Sequence, residues 1–105
     1  MTKHPFSVII ISGYIYYLIF KGADYLHELG VLSYAVKTVD GIAEKNGVEK
    51  VKFITLDVGY ESGFVPEYFM KLFPVAVDGK VRFKDSELKI NLVSGNGLII
   101  KEIGY

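Results

Sequence analysis

Only His4 and His27 can offer an imidazole, and the chain contains no cysteine. That excludes thiolate nucleophiles, disulfides and the usual structural zinc sites together. His27 stands directly before Glu28 in "DYLHELGVLSYAVKTV", residues 24–39. Two chemistries fit that pair. One is ordinary solvated polarity at a helix start, with Glu28 favouring the positive end of the helix. The other is a metal site in which the imidazole is joined by backbone nitrogens. The remaining candidates are weaker. Asp57, Glu61 and Glu67 flank turns, lack metal-site spacing and read as solvated carboxylates. Two histidines support no Ser-His-acid set. "SGNG", residues 94–97, lacks the G-x-G-x-x-G spacing and following helix of a phosphate cradle. His4 has no partner in sequence, and Tyr14, Tyr16 and Tyr17 belong to an apolar run that accounts for them.

The elements that would position His27 and Glu28 follow from periodicity. Leu29, Leu32, Val36 and Val39, then Ile42 and Ala43, recur at three- and four-residue steps, which predicts an amphipathic helix. Asp24 is its candidate cap. "KNG" at 45–47 stops it, with Asn46 or Gly47 in the left-handed conformation. Residues 48–59 read as a strand whose alternation breaks near Phe53, as a bulge or cover on both faces requires. "YESG" is a turn, and Pro66 opens a helix with Phe69, Leu72 and Phe73 inward. Pro74 should end or kink that helix. Residues 86–93 alternate as a half-buried strand, and "SGNG" predicts an antiparallel return by "LIIKEI" as a hairpin. The expected fold is α+β, two helices packed on a small three-stranded sheet.

The totals bound the function classes. With 105 residues the chain suits one domain. Twelve basic and twelve acidic side chains cancel, so no net field favours nucleic acid. From Phe6 to Phe20 the run "FSVIIISGYIYYLIF" carries no charge. It is shorter than the roughly 20 residues of a membrane-spanning helix, and it also suits a signal-peptide core, a buried strand or an aggregation-prone segment. A further reading comes from the genetic code. Lys21-Gly22-Ala23 can be encoded with the purine-rich AAGGAG of a bacterial ribosome-binding site, and TTG encodes Leu26 while also serving as a start codon. On that reading residues 1–25 are a leader translated from a wrongly chosen start, and residues 26–105 form the domain, beginning Met-His-Glu.

"HELGVLSYAVKTVDGIAEKNGVEKVKFITLDVG", "SGFVPEYF" and "LKI" together, residues 27 to about 92, resemble the nickel-binding domain of the HypA metallochaperones. The closing "SGNGLIIKEIGY" resembles that family's last strand. The resemblance implies a cytoplasmic nickel carrier for maturation of nickel-iron hydrogenase rather than an enzyme. It implies a HypB-type GTPase and the hydrogenase large subunit as partners, with a homodimer left open. The implied ligands for Ni(II) lie at the very N-terminus, with His27 primary and Glu28 a further carboxylate or a support for the imidazole. Ni(II) accepts square-planar nitrogen ligation. A free amine at residue 26, the amide nitrogen of His27 and its imidazole would close fused chelate rings. The chain departs from the family twice. The zinc-binding ribbon module of paired C-x-x-C motifs is missing, so zinc is not expected. Where the family has "GELS", this chain has Gly59-Tyr60-Glu61-Ser62, which displaces the acid by one. A rival reading is a membrane-tethered or degenerate interaction domain of this family without metal delivery, anchored through residues 6–20.

Overall fold

The computed structural model describes the backbone of residues 9–10 and 25–105, and the side chains from Glu28 onward. The helical stripe folds as its spacing predicts, into α1, Tyr25–Lys45. Val31, Leu32, Ala35, Val36, Val39 and Ala43 are buried, while Leu29 and Ile42 are only partly so. The buried face is wider than the predicted line because α1 packs against a second helix as well as joining the core shared with the sheet. Its C-terminus satisfies the last carbonyls in the paired manner of a glycine-ended helix. Gly47, at φ +70°, donates its N–H to Glu44 O at 3.2 Å, and Val48 donates to Ala43 O at 2.9 Å. Val48 then enters the same core as Ala43. The Asp24 cap, the anchor reading and the Tyr14–Tyr17 cluster fall on residues outside those described.

The second helix, α2, spans Pro66–Ala76 and buries Phe69, Phe73 and Ala76. It runs two residues past Pro74 before ending at Ala76, later than an end at the proline itself. Proline removes the N–H that would reach the carbonyl of Met70. Both Met70 and Pro74 lie on the solvent side, where water can serve that carbonyl. A single 3-10 turn, Val81–Phe83, then carries the chain back, planting Phe83 in the core.

Strands β2 (Phe53–Gly59), β3 (Glu87–Val93) and β4 (Leu98–Gly104) form the mixed sheet, and β1 (Ile9–Ile10) adds to its edge in the order β1-β4-β2-β3. The two helices and the three-stranded sheet match the expected α+β class. β2 starts later than its apolar run suggested, because residues 48–52 bond elsewhere. Val51 N–H goes to Arg82 O, and Lys52 N–H to Gly104 O.

The predicted hairpin does not form. β3 pairs parallel with β2, Phe53↔Glu87 through Gly59↔Val93, and β4 pairs antiparallel with β2 on its other side. Alternation and a glycine-rich turn specify two strands of opposite direction, but not whether they are neighbours. β3 and β4 therefore stand about 10 Å apart, two strand spacings, and Ser94–Gly97 crosses the end of β2 between them. The crossing is tight. A Cβ on Gly59 would lie 2.2 Å from the Gly95 carbonyl oxygen. Gly59 and Glu61 donate to the carbonyls of Gly97 and Gly95, each at 2.9 Å, which pins the crossing to the turn after β2.

One face of β2 carries Ile54, Leu56 and Val58 into the core. The other is polar. Thr55 donates to Glu102 at 3.3 Å and Asn91 to Asp57 at 3.1 Å, while the Lys89 ammonium lies 4.0 Å from the centre of the Phe53 ring. The register slips between Thr55 and Leu56, where β4 spends the extra residue Lys101 as a bulge. The bulge expected near Phe53 thus lies two residues further on and in the partner strand, and the second face of β2 is polar rather than a second core face.

Candidate metal centre at the helix entries

Among the described side chains, Glu28 is the one whose burial no pattern predicts. It is 3% exposed, in the first turn of α1. Its Oε2 accepts the backbone N–H of Val65 at 2.7 Å. Val65 is the residue before the first turn of α2, in extended conformation and without a side-chain cap of its own. The carboxylate thus serves two helix starts at once. It lies in the first turn of α1, and it binds an amide at the positive end of α2. A charge-assisted bond of this kind stabilises by about 1.5–3 kcal/mol.

The turn leading to Val65 is built to present that amide. Ser62 is fully buried, and its hydroxyl oxygen accepts the Phe64 N–H at 3.2 Å. Gly63 takes φ +84°, a conformation glycine adopts without a Cβ penalty. Phe64 turns inward, its ring 5.5 Å from that of Phe69. Pro66 has no N–H to satisfy, so Val65 supplies the backbone donor facing Glu28. "HE" at 27–28 and "SGFVPE" at 62–67 are therefore two halves of one corner, joined across 37 positions by a single bond.

The second carboxylate oxygen has no such partner. Glu28 Oε1 is buried without a hydrogen-bond partner among the described residues. An orphaned acceptor of this kind normally costs about 1–3 kcal/mol. It fits a site that takes a donor or a cation.

His27 belongs to the first turn of α1. Amides there have no carbonyl four residues back to bond within the helix, so the His27 nitrogen is not claimed by helical bonding. Its imidazole lies outside the described side chains. Glu61 and Glu67 are exposed, as expected of solvated acids. Asp57 is only 15% exposed, and it pairs with Lys101 at 4.0 Å besides Asn91. No group of three or more His, Asp or Glu side chains that could hold a metal occurs among the described residues.

Ser62 and Val65 were not candidates on sequence. The signal that could have found them is the "SG-x-VPE" entry itself, a turn with a proline behind a lone backbone donor.

Residues 26–99 match the family described as "Hydrogenase/urease nickel incorporation, metallochaperone, hypA". The chain belongs to the HypA family. No curated protein and no solved structure matches it. HypA proteins are nickel-incorporating metallochaperones, not catalytic enzymes. This member is built of two helices and a mixed sheet, and its sequence has no cysteine from which a zinc ribbon could be made. No helix among its described residues is long and apolar enough to cross a membrane.

Proposed function

We propose that this HypA-family chain carries Ni(II) to a nickel-iron hydrogenase precursor in the cytoplasm, with the ion held at the start of α1. His27 supplies the imidazole and its own amide nitrogen. A free amine on residue 26 completes the chelate, and Glu28 adds a carboxylate oxygen. The observation that carries this reading is the corner at Glu28. A buried acid with one unpaired oxygen stands beside the free first-turn amides of α1, in the His-Glu pair on which the family resemblance rests. The family match begins at residue 26, and an N-terminus at that residue is part of this proposal. A HypB-type GTPase and the hydrogenase large subunit are the partners this assignment calls for.

The test needs an amine released from a folded protein. Residues 22–25 of the full chain are replaced by the factor Xa sequence Ile-Glu-Gly-Arg, and nickel is titrated before and after cleavage. Square-planar Ni(II) absorption should appear only after cleavage and be lost in His27→Ala. Equal weak binding by all three forms would remove the carrier function. A mass spectrum of the natural polypeptide tests the start at residue 26 separately.

A further inference from the structure

The corner contains a coupling that the family assignment does not supply. We propose that Glu28 is a two-ended clip through which nickel loading at the start of α1 is transmitted to the entry of α2. The inference rests on the carrier reading of His27. Oε2 is already committed to Val65 N–H at 2.7 Å. Oε1 is buried in the same carboxyl group and has no partner among the described residues. One end of the group therefore holds the Phe64–Pro66 turn, and the other is buried without a partner among the described residues. When a cation or its bound amine engages Oε1, the side chain loses its remaining rotational freedom. The Val65 bond is then held in one geometry.

The effect does not stop at Val65. Ser62 donates its N–H to Gly59 O at 3.0 Å and accepts from Phe64, and Glu61 binds the Gly95 carbonyl. The turn that Glu28 holds is thus continuous with the crossing over β2. In this scheme Glu28 acts on the fold at α2 as well as on the ion at α1.

The readout is amide hydrogen exchange at Val65 in the cleaved full-length protein, with and without saturating Ni(II), while nickel absorption reports occupancy. Coupling energies between sites commonly correspond to factors of 5 or more, so Val65 exchange should slow by roughly five- to tenfold on loading. Glu28→Gln keeps an oxygen for Val65 and replaces the other end with an amide nitrogen that cannot accept. It should bind nickel more weakly, through His27 without the carboxylate oxygen, and even at saturating Ni(II) show no change at Val65. Glu28→Asp keeps the charge but is one methylene too short to reach both ends, and it should also lose the response. Nickel bound by the cleaved chain with Glu28 in place, with Val65 exchange unchanged, would overturn the clip and leave the carrier reading standing. So would a full response in Glu28→Gln. Absence of nickel absorption in the cleaved chain with Glu28 in place would end both. That cleaved, Glu28-bearing form decides the matter even where a variant fails to fold.

Discussion

Truncating Glu28 to alanine measures the corner without any metal. The substitution removes the bond to Val65, about 1.5–3 kcal/mol for a hydrogen bond to a charged group. It also removes one buried methylene, about 0.8 kcal/mol. Val65 is 37% exposed, so water can reach its freed N–H and no full desolvation penalty is added. Against these losses stands the relief of no longer burying Oε1 unpaired, about 1 kcal/mol at the low end of the usual range. The sum is a destabilisation of about 2 kcal/mol. For a domain of this size that lowers Tm by about 8–16 °C. Equilibrium unfolding in urea, followed by far-UV circular dichroism, is the assay. The midpoint should fall while the slope stays fixed, since a change confined to the native corner alters stability but not the surface exposed on unfolding. Glu49→Ala, an exposed acid just past α1, is the control. A Glu28→Ala shift no larger than the control, within the roughly 0.5 kcal/mol typical of surface changes, would refute the claim that this acid holds the two helix starts together.

The glycines make opposed predictions that the same unfolding assay checks. Gly59→Ala puts a methyl 2.2 Å from the Gly95 carbonyl oxygen and should cost about 3 kcal/mol. Gly41→Ala meets nothing within 4 Å in the middle of α1 and should stabilise by about 0.5–1 kcal/mol. Arg82 binds Asp40 through Nε at 2.7 Å and donates a second N–H to the Val48 carbonyl, clamping the 3-10 turn to the end of α1. Lysine cannot make both contacts in that geometry, so Arg82→Lys should lose about 1–2 kcal/mol. A double-mutant cycle with Asp40→Asn should recover part of that as coupling. Urea midpoints that order these three variants differently would count against the packing described.

What the sequence made legible was local. The Leu32-Val36-Val39 stripe, the glycine stop at 47 and the proline entry at 66 each act within a few positions, and each folded as its chemistry required. The misreadings share a different origin. Leu88, Ile90 and Leu92 specify a strand, but nothing in their alternation says that β2 rather than β4 will lie beside it. Val31 and Ala35 were missed because a second helix widens the buried face of α1. Pro74 placed the end of α2 two residues early because its effect depends on which side of α2 faces water. Glu28 was legible as a helix-start acid and illegible as a buried one, since its partner is a main-chain amide 37 residues on. Such donors are marked only indirectly, here by the proline that follows Val65 in the "SGFVPE" entry.

The span Ser94–Gly97 over the end of β2 has a further consequence. This strap of four residues is all that joins β3 to β4. With no cysteine in the sequence, no thiolate cross-link can tie the two strands together, and the strap holds by main-chain bonds alone. The toll is a permanent bareness at Gly59, since the strap lies where its side chain would begin.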